Sequence, residues 1–488
     1  MTRLSAEATT GGTAVWPSYR PEDHGVGIVH LGLGNFARAH LLAYTDSALG
    51  RAGGDWRVTG VSLRGTTVAD SLAPQDGRYT LIRRGAQTDG RVIGALAGVL
   101  AGPEVGAQVL AAMVAPGCRI VSLTVTEKGY GITSDGRLDR AHPAVAADLQ
   151  QPARPSGVIG LIVAALDHRR SADLGPFTVL SCDNLSHNGQ KLRAAVLEFA
   201  DATRGADLTG WIRTHVTFPS TMVDRITPAS TAATTETALQ LTGFDDLAAV
   251  ETEPFTQWVV EDDFCAGRPA WEKTGVLFTA DVAPFEQMKL RMLNGAHSML
   301  AYSGQLAGKA YVRDVMTDPA HAGLVRCHLS AAAATVQGLD IDLAAYADAL
   351  TERFANPAIA HATAQIAMDG TQKLPQRITA PALESLAAAR PVRPFLFALA
   401  SWAAYLSRRD NAGQPVPVDD PKAAALLTAV SGAQTPAATI AALAALCPDI
   451  LPLQLATGAA GDDLTGLLAA ILTDGMAAVI AREAEPAL

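Results

Sequence analysis

The stretch GIVHLGLGNFARAH, residues 27–40, decides the fold of the first half of the chain. Its apolar start predicts a short buried strand from Val26 to Leu31, and a helix is predicted from about Phe36 to Leu49. Between the two stands the pattern G-x-G-x-x-A. A strand before this pattern and a helix after it are the context of a dinucleotide-binding turn.

The small residues of this turn each have a physical reason. Gly32 permits the tight bend, and Gly34 has no Cβ, so that a pyrophosphate can approach the backbone. Ala37 lets the helix pack closely on the strand, and the helix N-terminus offers N–H groups and a partial positive charge. The alternative is a structural corner that is rich in glycine for packing alone. We expect the cofactor contacts of the turn at these residues: Gly32, Leu33, Gly34, Asn35, Phe36 and Ala37.

Two further segments bear on the cofactor. The second predicted strand ends in GVSLRGTT, without the acidic residue that usually binds the adenosine ribose of NAD. Arg64 stands there instead, where it either accommodates the 2′-phosphate of NADP or faces solvent. Thr126 and Glu127, in TVTEKGY, follow another predicted strand and are expected either to contact the cofactor or to cap a helix.

The order of predicted elements indicates the fold class. Strands alternate with helices up to about residue 285, which predicts a parallel sheet with helical crossovers, and helix formers dominate after it. We predict an α/β protein: a Rossmann-type amino-terminal domain with a mostly parallel sheet, then a mainly α-helical carboxy-terminal domain. The boundary is placed near Val282–Phe285. It gives a dinucleotide-binding domain over 1–283 and a substrate-binding, catalytic domain over 284–488.

The composition excludes several classes of protein. Of the 488 residues, 49% are apolar and 18% are charged, as in a folded globular protein. A net charge of −10 argues against nucleic acid or an anionic membrane as the partner. The five cysteines are scattered without a C-x-x-C pair, which fits reduced thiols rather than disulfides or a zinc site. With no predicted signal peptide or membrane span, we expect a cytoplasmic protein.

A second informative stretch, PFEQMKLRMLNGAHSML, starts at Pro284. At about 100° per residue, the side chains of Glu286, Lys289, Asn294 and His297 fall within an arc of about 140° on one helix face. That face would carry a carboxylate, an amine, an amide and an imidazole. The alternative is an amphipathic helix with ordinary surface charges.

These groups suit the oxidation of an alcohol. A base must take the hydroxyl proton as hydride leaves, and a lysine serves when burial lowers its pKa towards neutrality. Side-chain amides can hold the developing alkoxide. The chain has no Tyr-x-x-x-Lys pair and no clustered Cys and His ligands, which leaves a metal-free lysine mechanism.

Six segments together resemble a known family: GLGNFARAH, QDGRYTL, SLTVTEKGY, SCDNLSHNG, FPSTMVDRITPA and KLRMLNGAHSMLAY. In this order they are similar to the polyol-specific long-chain dehydrogenases, the family of mannitol 2-dehydrogenase and fructuronate reductase. The resemblance extends from about Val26 to beyond Arg377, and the run K-x-R-x-L-N-x-x-H is its most specific part.

The resemblance implies roles for five catalytic residues. Lys289 matches the general base of the family, and Asn294 and Asn184 match the pair of amides that stabilises the oxyanion. His297 matches the histidine that binds substrate hydroxyls. Glu286 matches a glutamate linked to proton exit.

The resemblance also implies substrate contacts. Asp224, in TMVDR, matches a substrate-site aspartate, with a structural ion pair to Arg225 as the alternative. Asn188 competes with the neighbouring asparagine of SCDNL for the oxyanion role. Lys373 and Arg377, in TQKLPQR, are expected at the far end of the substrate, with a solvated face as the alternative.

The function that the resemblance implies is NAD(P)-dependent, metal-independent interconversion of a secondary alcohol and its ketone in an open-chain polyol or sugar acid. Mannitol and fructose are the first expected pair, and mannonate and fructuronate the alternative. NAD is the expected cofactor, with NADP as the alternative, and both monomer and dimer stay open. Two other functions remain: a non-catalytic sensor of NAD(P) and sugar, and an isomerase that holds NAD tightly.

Overall fold

The computed structural model describes residues 2–8, 11–126, 129–133, 136–409 and 413–484. The chain divides into two compact units, Met1–Ala283 and Pro284–Leu488. The first unit combines strands with helices, and the second is helical. The predicted fold class is confirmed.

The first unit contains a five-stranded sheet in which every neighbouring pair of strands is parallel, in the order β5-β2-β1-β6-β7. Two smaller sheets have the orders β11-β10-β8 and β4-β3-β9, and each pairs one parallel with one antiparallel neighbour. The strands are β1 (Val26–Leu31), β2 (Arg57–Ser62), β3 (Tyr79–Arg84), β4 (Thr88–Ile93), β5 (Leu96–Ala101), β6 (Ile120–Leu123), β7 (Thr178–Ser181), β8 (Thr221–Asp224), β9 (Val250–Thr252), β10 (Gln257–Glu261) and β11 (Leu277–Thr279).

Helices cover both faces of the five-stranded sheet. The helices of this unit are α1 (Asn35–Ala39), α2 (Leu41–Ala52), α3 (Thr67–Leu72), α4 (Gly106–Val114), α5 (Pro143–Gln150), α6 (Val158–Ser171), α7 (Asn188–Arg204), α8 (Ala206–His215) and α9 (Ala232–Thr242). Alternate strand residues separate into two hydrophobic clusters: Val29 and Val121 pack with α4, α6 and α7, whereas Ile28 and Ile120 pack with α1 and α2. Burial on both faces explains why these strands are continuously apolar in sequence.

The helix predicted from Phe36 to Leu49 is two helices, α1 and α2, which meet at His40. The backbone there leaves the helical region, with φ −112° and ψ −86°. The imidazole of His40 is buried, contacts the rings of Phe36 and Trp258, and lies 3.1 Å from the carbonyl oxygen of Gln257. We attribute the break to these side-chain contacts.

The second unit is built from helices and two π-helical turns, π1 (Lys289–Asn294) and π2 (Pro375–Thr379). The helix α18 is buried from Phe395 to Leu406 and packs against α11 and α22. The helices are α10 (Ala283–Met288), α11 (Gly295–Leu306), α12 (Val312–Met316), α13 (Pro319–Ala333), α14 (Leu343–Phe354), α15 (Thr363–Ile366), α16 (Gly370–Leu374), α17 (Ala380–Ala387), α18 (Arg393–Leu406), α19 (Ala423–Gly432), α20 (Pro436–Leu446), α21 (Leu453–Ala456), α22 (Gly458–Asp474) and α23 (Met476–Ala484).

Among the described residues, no helix combines the length and the apolar character that a membrane span requires.

Candidate active site

The turn between β1 and α1 requires a glycine at its first position. Gly32 has φ +96°, in the region that L side chains rarely adopt. A Cβ at this position would lie 2.1 Å from the carbonyl oxygen of Thr124. The fold itself therefore fixes Gly32.

Gly34 is glycine for a different reason. A Cβ there would find its nearest atom at 4.0 Å, so the chain leaves space beside this backbone. The helix α1 begins at Asn35 without a side-chain cap. The first-turn N–H groups and their partial positive charge thus adjoin an open position, which is the arrangement that a pyrophosphate needs.

The side chains of the turn pack or form hydrogen bonds within the first unit. Leu33 and Ala37 are buried, and Leu33 packs against Gly60, where a Cβ would come within 2.5 Å of it. The amide nitrogen of Asn35 donates to the carbonyl oxygen of Pro228 at 3.2 Å. Among these residues, the backbone at the start of α1 is the part that fits cofactor binding.

Arg38, at the end of α1, is internal to the first unit. Its guanidinium donates to the carbonyl oxygen of Ala248 and, at 2.6 Å, to the side-chain oxygen of Asn35. The hydroxyl of Tyr79 donates to the carbonyl oxygen of Arg38 at 2.6 Å. This buried arginine braces the helix that follows the glycine turn.

The carboxyl ends of β2 and β6 carry the other expected cofactor contacts. Arg64 is exposed on a bend just after β2. Thr126 has φ +64°, and its N–H donates to a carboxylate oxygen of Asp183 at 3.1 Å. Glu127 lies outside the described residues.

Asp183 is a positioning residue that the sequence reasoning missed. Its carboxylate accepts hydrogen bonds from the N–H of Val125 at 2.8 Å and from the hydroxyl of Tyr130 at 2.7 Å. It thereby ties the loop after β6 to the loop after β7. An acidic residue two positions after a buried strand was the available signal.

The two asparagines after β7 have different surroundings. Asn184 is exposed at the carboxyl end of the strand. Asn188 is fully buried, donates to the carbonyl oxygen of Thr221 at 2.9 Å and accepts from the N–H of that residue at 2.9 Å. These hydrogen bonds connect the start of α7 to β8. The amide of Asn188 is therefore already used within the fold, and a structural role replaces the substrate contact that we expected.

Asp224 is the buried last residue of β8. The guanidinium of Arg225 donates to the carbonyl oxygens of Ala39 and, at 3.3 Å, of Glu253. Burial lowers the pKa of Arg225 to about 10. The arginine thus fixes the end of β8 through backbone carbonyls.

The lysine stretch is not a regular α-helix. Glu286 lies half-buried on α10, and the six residues from Lys289 to Asn294 form π1 before α11 begins. A π-helix bonds i to i+5, so its wider turn rotates later residues relative to an α-helix. The predicted arc of side chains was therefore wrong, because it assumed 100° per residue throughout, whereas the segment changes from α-helix to π-helix and back.

Two buried groups of π1 suit proton transfer and oxyanion binding. Lys289 and Asn294 are each only 8% exposed. The amide nitrogen of Asn294 has no hydrogen-bond partner among the described residues. A buried donor without a partner is rare in native proteins, and here it is available to a substrate oxygen.

His297 lies one turn beyond, on α11. Its ring is 6% exposed, and the ring centroids of Phe354 and His361 lie 4.7 and 5.0 Å away. Burial, with electrostatic effects from His361, Arg353, Arg377 and Lys289, holds the pKa of His297 well below its usual range. The imidazole is neutral at pH 7, and its Nε2 has no hydrogen-bond partner among the described residues.

The segment with Lys373 and Arg377 packs beside this cluster. Lys373 donates from Nζ to the carbonyl oxygen of Met368 at 2.6 Å. Arg377, on π2, donates to the hydroxyl of Ser298 at 3.3 Å, and Ser298 donates to the carbonyl oxygen of Asn294 at 3.1 Å. These bonds connect the two π-helical turns.

An ion pair between the buried side chain of Arg291 and the half-exposed side chain of Glu384 also holds π1. Arg291, with a 7% exposed side chain, donates to both carboxylate oxygens of Glu384 at 2.5 and 2.6 Å. It also donates to the carbonyl oxygen of Thr335 at 2.7 Å. The arginine between Lys289 and Asn294 therefore fixes the turn that carries both.

Within the second unit, the structure brings Lys289, Asn294, His297 and Arg377 into one cluster. Arg353 and His361 join it and were missed, because no spacing in the sequence connects them to the lysine stretch. Among the described residues, no group of three or more His, Cys, Asp or Glu side chains could hold a metal ion.

Comparison with known proteins identifies relatives over nearly the whole chain. The model of the mannitol dehydrogenase Rossmann domain matches residues 26–273, and that of the mannitol dehydrogenase C-terminal domain matches residues 281–450. The D-mannonate oxidoreductase of Escherichia coli (strain K12) is 44% identical over 404 residues, which are 81% of this chain and 82% of the relative.

Two further relatives are described as mannitol 2-dehydrogenases. The Cereibacter sphaeroides protein is 38% identical over 473 residues, which are 96% of this chain and 98% of the relative. The solved structure from Pseudomonas fluorescens, a ternary complex with NAD and D-mannitol, is 36% identical, has a TM-score of 0.85, and is matched over 99% of this chain and 100% of its own. The resemblance drawn from the sequence is confirmed.

Proposed function

Because the chain belongs to the mannitol dehydrogenase family, we propose that it is an NAD-dependent oxidoreductase of open-chain polyols or sugar acids. It interconverts a secondary alcohol and its ketone. In this proposal residues 1–283 form the dinucleotide-binding domain, and residues 284–488 form the substrate-binding, catalytic domain. The glycine turn fits NAD because an open backbone position precedes the uncapped start of α1.

The observation that carries the proposal is the cluster on π1 and α11. A buried amine, Lys289, shares it with a buried amide donor on Asn294 and a neutral imidazole on His297, and the last two have ring or amide nitrogens without partners among the described residues. A base, an oxyanion donor and a hydroxyl-binding group are what alcohol oxidation requires.

The roles of the residues follow from the balance of the reaction. Bound NAD supplies the acceptor for the hydride that leaves the carbinol carbon. Neutral Lys289 takes the hydroxyl proton as the carbonyl bond forms, and the amide of Asn294 donates to the substrate oxygen as its charge develops. Glu286 then passes the proton from the amine towards solvent.

The remaining contacts that the family resemblance implies are proposed for each unit separately. From the first unit, Asn184 provides the second oxyanion amide and Asp224 binds a substrate hydroxyl. From the second, His297 binds a hydroxyl, and Lys373 and Arg377 bind the far end of the substrate. Arg64 contacts the adenosine ribose side of the cofactor, and Thr126 and Glu127 provide further cofactor contacts.

Two substrate pairs fit this site. Mannitol and fructose are the first candidates, supported by the mannitol 2-dehydrogenases among the relatives. Mannonate and fructuronate are the second. The two arginines that act electrostatically on His297, Arg353 and Arg377, together with the 44% identity to a D-mannonate oxidoreductase, favour a substrate with a carboxylate.

The change Lys289→Ala tests the proposal. Loss of a general base should lower kcat by roughly 10² to 10⁴. The dissociation constant for NADH should change little, because the proposed cofactor residues lie in the first unit. Initial rates at 340 nm on fructose and fructuronate, with NADH and NADPH, and NADH fluorescence titrations provide the measurements.

Lys309→Ala, another lysine of the second unit, is the matched control and should keep wild-type kcat. Full turnover in Lys289→Ala would overturn the mechanism. No NADH consumption by the wild type on either ketone would support a sensor, whereas product formation without net NADH change would support an isomerase.

A further inference from the structure

A buried histidine stands in the apolar strand that leads into the glycine turn. His30 lies on β1, two residues before Gly32, and it is 0% exposed. Burial lowers its pKa to about 4, so the imidazole is neutral at pH 7. A polar ring in such a core costs free energy unless its nitrogens are hydrogen-bonded, and the proposed mechanism gives this ring no role.

Both ring nitrogens of His30 have partners at the end of β6. Nδ1 lies 2.9 Å from the hydroxyl oxygen of Ser122, and Nε2 lies 2.9 Å from the hydroxyl oxygen of Thr124. The Thr124 hydroxyl donates its proton to the carbonyl oxygen of Gly32 at 2.8 Å. Because a hydroxyl has a single proton, Thr124 must accept from the imidazole, and Nε2 therefore carries the ring proton. Nδ1 then accepts from Ser122.

This chain of hydrogen bonds ends on the carbonyl group that shapes the glycine turn. The same oxygen of Gly32 also accepts from the N–H of Gly34 at 2.8 Å, so both of its lone pairs are used. A glycine with positive φ has few steric limits on its backbone, so hydrogen bonds rather than sterics fix the orientation of this carbonyl.

The chain also joins two segments of the first unit. The backbone of Thr124 touches the turn, since its carbonyl oxygen lies 2.1 Å from the place that a Cβ of Gly32 would occupy. Thr124 directly follows β6 and begins the loop that contains Thr126. His30 therefore holds the side chain that connects the glycine turn to this loop.

We propose that His30 is a positioning residue for the cofactor, which acts through Thr124 to hold the glycine turn in the shape that NAD requires. The proposal rests on the proposed function, in which the turn and the loop after β6 both contact NAD. Because His30 is fully buried, it acts through these segments and not by touching the cofactor.

The change His30→Phe tests the proposal, because it fills the space of the imidazole and removes both hydrogen bonds. The dissociation constant for NADH, measured by fluorescence titration, should rise by about tenfold or more. The kcat at saturating NADH and the KM for the ketone should stay within about twofold of wild type, since the proton-transfer groups lie in the second unit. His30→Gln, whose amide has a donor and an acceptor, should recover most of the NADH affinity.

Two hydroxyl variants separate positioning from stability. Thr124→Val removes the donor to Gly32 and should weaken NADH binding as much as His30→Phe does. Combining the two changes should add no further loss, because both interrupt the same chain of hydrogen bonds. Ser122→Ala is the matched control, since it removes a hydroxyl at the far end of the chain and should leave the NADH affinity within about twofold of wild type.

Urea unfolding shows whether each variant is folded. If His30→Phe does not fold, Thr124→Val compared with Thr124→Ser provides the same test, because the serine keeps the hydroxyl and should bind NADH like the wild type. Equal weakening of NADH binding by Ser122→Ala and Thr124→Val would overturn the positioning role.

The cofactor-free enzyme provides a readout that does not depend on activity. Nitrogen-15 spectra of ring-labelled histidines, with His30→Gln for assignment, should show a neutral His30 ring at pH 7 with its proton on Nε2. A proton on Nδ1 would overturn the proposal, as would wild-type NADH affinity in a folded His30→Phe variant, and both results leave the oxidoreductase function intact. Failure of the wild type to bind NADH would refute the proposed function and this proposal with it.

Discussion

The glycine turn of the first unit and the turn π1 of the second both have irregular backbone, but for different physical reasons. The turn at Gly32 has a positive φ that glycine alone adopts easily, so the glycine in the sequence indicates this backbone conformation. No residue type in the sequence indicates the π-helical geometry of π1. The turn is accompanied by the hydrogen bonds of Arg291 to Glu384 and Thr335, which lie far along the chain. Irregularity that comes from backbone sterics is visible in a sequence, whereas irregularity that depends on distant partners is not.

The largest effect is expected from Gly32→Ala compared with Gly34→Ala. The first change forces a side chain into a left-handed backbone, at a cost of about 1–2 kcal/mol, and places its Cβ 2.1 Å from a carbonyl oxygen. We expect Gly32→Ala to unfold the first unit or to lower its unfolding free energy strongly. Gly34→Ala should change it by less than about 1 kcal/mol and weaken NADH binding at least tenfold. Urea unfolding and NADH fluorescence titrations measure the two quantities.

If Gly34→Ala destabilised the chain as much as Gly32→Ala, the conclusion that there is room for a side chain at position 34 would be wrong. Wild-type NADH affinity in a folded Gly34→Ala variant would show that the pyrophosphate does not approach this backbone.

A smaller effect is expected from the ion pair that holds the lysine turn. Glu384→Gln leaves the buried Arg291 without its carboxylate, and π1 should then shift. A displacement of about 1 Å at catalytic groups can cost roughly 10²-fold in rate, so we expect kcat to fall between about tenfold and 100-fold. Steady-state kinetics should show this loss in kcat with little change in the KM for NADH.

Glu483→Gln is the matched control. Glu483 accepts two hydrogen bonds from Arg393 at 2.7 and 2.8 Å, with no contact to π1 among its hydrogen bonds. Both variants should lower Tm to a similar extent, but Glu483→Gln should keep wild-type kcat. Equal kcat values in the two variants would reduce the Arg291–Glu384 pair to a structural role.

The last prediction concerns acid stability. Burial lowers the pKa of His321 and His328 in the second unit to about 4, as it does for His30 in the first. Between pH 6.5 and 4 the unfolded chain binds protons at these histidines and the folded chain does not, so the unfolding free energy falls as pH falls. Each histidine contributes up to about 1.4 kcal/mol per pH unit.

Because His297 and His361 add to this effect, the second unit should lose protection first on acidification. Hydrogen exchange followed by mass spectrometry at several pH values resolves the two units. His321→Asn should reduce the slope. A pH-independent unfolding free energy over this window would contradict the burial of neutral histidines.

Much of the fold was predictable because its signals are local. The apolar strands, the glycine turn and the change to helix formers near residue 283 each depend on neighbours in sequence. The break at His40 was not predictable, since its cause is a packing partner 218 positions away, Trp258.

The candidate site was predictable in part. Two sequence segments, the lysine stretch and the loop SCDNL, were enough to propose site residues: Lys289, Asn294, His297 and Asn184. Asn188 could not be separated from Asn184 by sequence, because only its bonds to Thr221 show that its amide is already used. Arg353 and His361 needed the fold to bring them to His297.

The position of Arg64 has a consequence for evolvability. It lies exposed on the bend after β2, whereas the fold fixes Gly32 and buries the side chains of Leu33 and Ala37. A change at position 64 therefore leaves the buried scaffold undisturbed, and if Arg64 contacts the cofactor as proposed, such a change alters the preference between NAD and NADP alone.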